Sequence, residues 1–243
     1  MPVALITGAS RGFGRALAEG LAERRWTLVL DARGRVELAS VANELAEATR
    51  VVSIAGDVAD PAHRQELADR VAGLGGLDLL VNNASRLGPS PQPLLRDYPL
   101  EELRRVYEVD VFAPLALCQA LLPVLAASPD GGTIVNLSSD AAVEAYPGWG
   151  GYGSAKAALD QWSAVLAAEH PGLRVYAFDP GDMRTDMHQQ AFPGEDISDR
   201  PEPATVVPAL LRLLGERPDS GRYRAADVAV PLVQPAGRAG GAA

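Results

Sequence analysis

Short runs of consecutive apolar residues alternate along the chain with longer stretches whose apolar positions recur every three to four residues. The runs fall at 3–6, 27–30, 51–54, 77–81, 133–137 and 173–178. Apolar side chains at successive positions, rather than at alternate ones, predict strands buried on both faces. The intervening stretches predict helices at 12–24, 35–48, 99–126 and 152–169, with Ala16, Leu17 and Leu21 on one face of the first. A further helix opens at Asp60-Pro61, an N-cap followed by proline at the first helical position. Repeated strand–helix alternation predicts right-handed crossovers and a parallel sheet covered by helices. The expected fold is α/β, a single-domain Rossmann-type doubly wound parallel sheet, with ligands at the carboxyl ends of its strands. Residues 182–203 interrupt the alternation with Met183, Met187, Phe192 and several prolines and glycines. They predict a small lid rather than a second domain. A helix at 203–215 and a short strand at 223–230 complete a domain spanning 1–234, and the Gly- and Ala-rich residues 235–243 predict a flexible tail.

Composition narrows the function. At 243 residues, 47% hydrophobic and 22% charged, the chain can bury one large core and is ordinary for a soluble globule. A net charge of −9 argues against nucleic acid and membrane partners, which require a basic face. The apolar runs are shorter than a bilayer crossing needs, and the N-terminus enters a strand rather than a signal sequence, so the cytoplasm is the expected location. The sole cysteine, Cys118, excludes an intrachain disulfide and a cysteine cage for a metal; among Leu115, Leu117, Leu121 and Leu122 it reads as a buried structural thiol. His63, His170 and His188 lack metal-ligand spacing and read as surface or loop residues, so no metal site is expected. One lysine, Lys156, stands against 21 arginines. A chain so biased toward arginine keeps a lysine where arginine cannot replace it.

Two clusters carry chemistry. The first strand runs into Thr7-Gly8-Ala9-Ser10-Arg11-Gly12-Phe13-Gly14 and then a helix. Glycines there allow a tight turn and close approach of the backbone to a pyrophosphate, which the helix N-terminus attracts. The end of the second strand reads Leu30-Asp31-Ala32-Arg33. Arg33, with Arg11 in the turn, suits the 2′-phosphate of NADP. Asp31 is the counter-indication, since an acid at this place suits the ribose of NAD. NADP is the expected cofactor and NAD the weaker alternative. The second cluster is Tyr152 and Lys156, four apart on one helix face, with Ser138 and Ser139 ending the fifth strand. Reduction of a carbonyl needs a proton donor for the developing alkoxide. A tyrosine can serve if a neighbouring ammonium lowers its pKa, and a lysine can both supply that charge and pass on a proton.

With these residues in place, the sequence resembles the short-chain dehydrogenase/reductase family over nearly its whole length. The glycine turn Thr7–Gly14, Asp57-Val58 after the third strand, Asn82-Asn83-Ala84-Ser85 after the fourth, Tyr152 and Lys156, and Pro180-Gly181 after the sixth carry the likeness. The resemblance implies that Ser139 orients the substrate carbonyl, Tyr152 is the general acid and Lys156 handles both cofactor and proton. It implies cofactor contacts from Gly8, Ser10, Arg11, Gly12, Phe13, Gly14, Arg33, Asp57, Val58, Asn83, Ala84, Tyr152, Lys156, Pro180, Gly181, Met183 and Thr185. Trp149, Met183, Met187 and Phe192, with Leu87 and Asp140 nearby, are expected to wall an apolar substrate pocket.

Two departures stand out. Asp110 occupies the place of the family's relay asparagine, and Ser85 that of a glycine. Asp110 is expected to keep the relay role, as a fourth catalytic residue with altered pH dependence. The implied activity is an NADP-dependent carbonyl reductase or alcohol oxidoreductase, acting on a ketone or aldehyde, possible substrates including 3-oxoacyl or polyketide-type ketones, and working as a homodimer or homotetramer. The alternative is a non-catalytic dinucleotide-sensing regulator or scaffold. Such a protein usually loses the tyrosine or the lysine, and both are present here. Epimerase or dehydratase chemistry on this scaffold is disfavoured by the short chain and the lack of a second substrate domain.

Overall fold

The computed structural model describes residues 1–228. Seven strands form one sheet in the order β3-β2-β1-β4-β5-β6-β7, and every neighbouring pair is parallel. They are β1 (Val3–Ile6), β2 (Thr27–Ala32), β3 (Val51–Ala55), β4 (Leu79–Asn82), β5 (Thr133–Leu137), β6 (Arg174–Asp179) and β7 (Gly221–Arg224). The helices are α1 (Gly12–Ala22), α2 (Arg35–Leu45), α3 (Pro61–Ala72), α4 (Leu100–Tyr107), α5 (Ala113–Ala126), α6 (Gly150–Glu169), α7 (Asp186–Ala191), α8 (Pro203–Glu216) and α9 (Ala225–Val228). Strands β1, β2, β4 and β5 are buried at every position, as their continuous apolar runs require. One core lies between the sheet and α1, α2 and α8, with Leu17, Leu21, Leu30, Phe178 and Leu210 at its centre. The other lies against α3, α5 and α6, around Leu5, Val29, Leu67, Leu117, Leu121 and Val175. The chain reverses its direction of progress between β1 and β4, which creates the crevice where doubly wound sheets bind ligands.

The expected helix at 99–126 is present, but a π-helical stretch, Glu108–Phe112, divides it into α4 and α5. Taken end to end, Leu100–Ala126 is 27 residues and apolar enough in composition to cross a bilayer, contrary to the reading of its shorter runs. Its apolar side packs on the sheet instead, with Leu117, Cys118, Leu121 and Leu125 fully buried. Burial pushes the Cys118 thiol up to about 12, so this is an inert packing group as expected. The histidine reading fails at two of three positions: His63 and His188 are both buried. The last strand is shifted, lying at Gly221–Arg224, where it pairs with β6, and the chain then turns into α9 rather than continuing as strand. The tail at 235–243 lies outside the described residues. At α3 the Asp60 carboxylate accepts from the Ala62 N–H at 2.9 Å with Pro61 at the first turn, the cap that the sequence predicts.

Candidate active site

The turn between β1 and α1 is shaped by close approach. Gly8 has a φ of +67°, and a Cβ there would lie 2.9 Å from the Ala84 Cα; one on Gly14 would lie 2.5 Å from the Gly8 carbonyl oxygen. Arg11 caps α1 without a side-chain hydrogen bond, leaving the first amides of the helix to point into the crevice. This backbone cradle fits a pyrophosphate, with Ser10 and Gly12 at its rim. Asn83 and Ala84 build the turn from the other side. The Asn83 Nδ2 donates to the carbonyls of Thr7 at 2.8 Å and Gly8 at 3.1 Å, and Thr7 Oγ1 accepts from the N–H groups of Asn83 and Ala84, both at 3.0 Å. The Asn83 amide is thereby engaged by the turn itself. Phe13 turns its ring inward onto Phe178, with centroids 6.2 Å apart, so only its backbone faces the cradle.

At the end of β2, strand alternation separates Asp31 from Ala32. Asp31 is 1% exposed and points toward α3, where it meets His63 Nε2 at 2.6 Å. Burial pushes the Asp31 carboxyl above its ordinary range against the pull of His63, while the hydrogen bond to Asp31 raises His63 despite its burial. The acid that argued for NAD is therefore held in a buried pair. Arg33 is exposed at the strand end and makes no ion pair among the described residues. Arg11, expected beside it, instead reaches α7, donating to Asp186 at 2.9 Å. Asp57 is exposed and accepts from the Ala59 N–H at 2.9 Å, next to the buried Val58.

Ser139, Tyr152, Lys156 and Asp110 converge from β5, α6 and the π-helical stretch. Ser139 donates to Asp140 Oδ1 at 2.9 Å and accepts from the Ala141 N–H, capping a short turn that packs on Tyr152. Lys156 is buried, donates to the Leu137 carbonyl at 2.8 Å and lies 5.3 Å from the centroid of the Tyr152 ring. Its Nζ is 3.3 Å from Asp110 Oδ1. Asp110 also accepts from the Ser85 hydroxyl and, through Oδ2, from the Arg86 N–H at 3.1 Å. Burial works against the charge on Lys156, but Tyr152 and Asp110 together outweigh it and hold the ammonium above its ordinary value. Burial likewise pushes Asp110 up, opposed by Lys156 and the hydrogen bonds from Ser85 and Arg86. Tyr152 departs from expectation. Lys156 does pull its pKa down, but burial is the larger influence and leaves the phenol above its ordinary value.

Residues of the segment 182–203 pack against this floor. Thr185 caps α7, accepting from the His188 N–H at 3.2 Å, and its methyl sits against Gly12 of the phosphate turn. Trp149 meets Tyr152 edge-on at 6.0 Å and Phe192 at 5.9 Å, and Met187 packs with Leu87 and Tyr152, forming the expected apolar wall. Met183 turns away to the core under α1 and α8. Pro180 and Gly181 lead from β6 into the segment 182–203, with the Gly181 N–H donating to Asp179 Oδ1 at 3.0 Å.

Two supporting groups carry no signal in the sequence. Arg222 of β7 donates to Asp160 at 3.0 Å, to Asp179 at 2.9 Å and to the Ser139 carbonyl at 2.9 Å, tying α6, β6 and the end of β5 together. A buried chain runs from Asn82 to Asn136 at 2.7 Å and on to Ser163 at 2.7 Å. Both join residues that are far apart in the chain and belong to no local motif.

Comparison with known proteins places these features. The family model described as short chain dehydrogenase matches residues 2–196. The sepiapterin reductase of Mus musculus is 37% identical over 201 residues, which cover 78% of this chain and 77% of that one. The structure of the oxidoreductase yciK from E. coli is 33% identical with a TM-score of 0.86, covering 92% of this chain and 94% of that one. A short chain dehydrogenase from Escherichia coli CFT073, complexed with NADPH, is 32% identical with a TM-score of 0.84 and covers 92% and 96%.

Proposed function

The chain belongs to the short-chain dehydrogenase family, an oxidoreductase family, and on that premise we propose that it is an NADP(H)-dependent enzyme interconverting a ketone or aldehyde with its alcohol. The observation that carries the reading is the convergence of Tyr152, Lys156 and Ser139 beside a backbone cradle shaped for a pyrophosphate. Gly8, Ser10, Gly12 and Gly14, with the first amides of α1, would hold the pyrophosphate. Arg33 would take the 2′-phosphate, which favours NADP now that Asp31 is turned away. The NADPH bound by a structural neighbour supports the same choice. Phe13, Asp57, Val58 and Ala84 would line the cofactor through backbone or turn contacts, and Pro180, Gly181 and Thr185 would close over it. The cofactor supplies a hydride.

The protein's own residues supply position and a proton. Ser139 turns its hydroxyl from Asp140 to the substrate oxygen. Tyr152 donates its proton to that oxygen as negative charge develops there, and the Lys156 ammonium stabilises the phenolate left behind. Trp149, Leu87, Met187 and Phe192 exclude water on the apolar side. We place the enzyme in the cytoplasm as a homodimer or homotetramer.

The test is a spectrophotometric panel of carbonyls with NADPH and NADH. It should include sepiapterin, named for a relative's substrate, and 3-oxoacyl thioesters, with Tyr152→Phe as control. NADPH oxidation that falls at least about 10²-fold in the control is expected, the lower range of what general acid catalysis supplies. Equal rates in the control would overturn the mechanism. Tight NADPH binding without turnover across the panel would favour the non-catalytic regulator.

A further inference from the structure

Beside the serine proposed to orient the substrate stands a half-buried carboxylate whose partners are all uncharged. Asp140 Oδ1 accepts from the Ser139 hydroxyl at 2.9 Å and from the Ala141 N–H at 2.8 Å, and Oδ2 accepts from the Tyr146 hydroxyl at 3.0 Å. Arg222, which bonds the Ser139 carbonyl, is taken up by Asp160 and Asp179 instead. Charges withdrawn from water are ordinarily paired, and a carboxylate offers about four acceptor positions, so Asp140 has room on Oδ2 for one more donor. Aromatic rings connect this carboxylate to the proposed general acid. Trp149 lies 6.4 Å from Tyr146, 6.0 Å from Tyr152 and 5.9 Å from Phe192, edge-on to both tyrosines.

We propose that Asp140, with Tyr146 and Trp149, forms a cation subsite beside Ser139, and that the preferred substrates are amino ketones or amino aldehydes whose protonated nitrogen lies one or two carbons from the carbonyl. The inference rests on the proposed reductase reading and names the substrate class of that site. The Ser139 hydroxyl has one proton and cannot donate to Asp140 and to a substrate oxygen together. A neutral carbonyl compound gains the serine only by leaving Asp140 short of a donor. An amino ketone brings Asp140 a replacement as Ser139 turns away, and a charged one. Charge-assisted hydrogen bonds are the stronger kind, and aromatic rings such as Trp149 and Tyr146 attract the same cation through their faces. An anionic substrate meets the opposite: Asp140 repels it and keeps the serine. The spacing follows from the 2.9 Å between Ser139 Oγ and Asp140 Oδ1. One molecule engages both groups only if its oxygen and its nitrogen are near neighbours along its chain.

The first experiment gives three phenyl ketones to the native chain and to Asp140→Asn with NADPH. They are α-dimethylaminoacetophenone, at a pH where its nitrogen is protonated, α-hydroxyacetophenone and phenylglyoxylate, which carry a cation, a neutral donor and an anion beside the carbonyl. In the native chain kcat/KM is expected to fall in that order. Asp140→Asn keeps a carbonyl to accept from the Ala141 N–H but loses the charge. In it the ratio of kcat/KM for the amino ketone to that for the hydroxy ketone is expected to fall roughly 10- to 100-fold, the strength of a hydrogen bond to a charged group, while the keto acid gains on the hydroxy ketone. A merely structural role lowers all three alike, so unchanged ratios overturn the subsite, as does a native chain that prefers the keto acid or ignores the charge. If Asp140→Asn does not fold, the order of the three ketones in the native chain decides. The second experiment needs no turnover. The fluorescence of Trp149, taken by difference from Trp149→Phe, is followed as benzylammonium, benzyl alcohol or benzoate is added. Saturable binding of benzylammonium that weakens at least about tenfold in Asp140→Asn supports the subsite. Equal affinity for benzylammonium and benzyl alcohol overturns it, as does equal affinity of the two chains for benzylammonium. If Tyr152→Phe is as active as the native chain, or no ketone is reduced, the reductase reading fails and the fluorescence decides the subsite alone. If Tyr152→Phe is inactive while the substrate ratios do not move, only the subsite fails.

Discussion

Arg33 stands at the end of β2 with its guanidinium in solvent and no acidic partner among the described residues. A hydrogen bond to a charged group contributes about 1.5–3 kcal/mol, and each 1.4 kcal/mol is about tenfold in affinity. Arg33→Ala is therefore expected to raise KM for NADPH roughly 10- to 100-fold while changing KM for NADH by less than about twofold. Initial rates with the two cofactors check this, and an equal rise for both would assign Arg33 to general packing. The sequence pointed to Arg33 but left Asp31 ambiguous, because a two-fold strand period says that neighbouring residues face opposite ways without saying which faces the ligand. His63 resolves it from 32 positions away. A lone histidine has no spacing to announce its partner, so the sequence by itself assigns it to the surface or a loop. Tyr152 and Lys156 were legible because their partnership is local, one helical turn apart.

Elements, in turn, were legible wherever a period defines them, and obscure where one element corrects another. The helix at 99–126 followed from its apolar positions, but the π-helical stretch inside it did not. One extra residue in a turn leaves the hydrophobic pattern nearly intact, yet it re-aims Asp110 at Lys156. The Asp31–His63 pair likewise pins α3 to the end of β2 through a contact that neither element's pattern contains. Its effect on stability has a definite sign. His63 is held above its ordinary value of 6.5, so its contribution is complete below pH 6.5 and is lost as pH rises through the folded-state pKa. Asp31 is held above 3.8, so the folded state binds its proton more tightly too, and that contribution also declines as pH rises. The native chain is thus expected to lose thermal stability between pH 6 and pH 9. In His63→Gln, whose amide can still donate to Asp31 but does not titrate, that decline should be smaller. Unfolding followed by circular dichroism at the two pH values provides the check; equal declines would place the titrating group elsewhere.

At the scale of the whole molecule, the alternation of strands and helices was enough to foresee a parallel, doubly wound sheet with its ligand crevice at the strands' carboxyl ends. It did not specify how the outer surface is used, since apolar residues on an outward helix face look the same in sequence as those on an inward one. In the layer formed by α4, α5 and α6 two large apolar side chains face outward. Phe112, next to α5, is 51% exposed, and Val165 on α6 is 45% exposed. Their neighbours Tyr107 and Trp162 pack inward around Val106, Val111 and Ala155. These two side chains are candidates for burial in the interface between copies that the proposed homodimer or homotetramer requires. If this face joins two protomers, a charge at each position must be desolvated or must meet its symmetry mate, and both are unfavourable. The double variant Phe112→Glu, Val165→Glu is accordingly expected to shift the mass measured by sedimentation from dimer or tetramer to monomer, with the circular dichroism spectrum unchanged because neither side chain belongs to a core. An unchanged oligomer would move the interface to another face of the sheet, and a monomeric native chain would remove it.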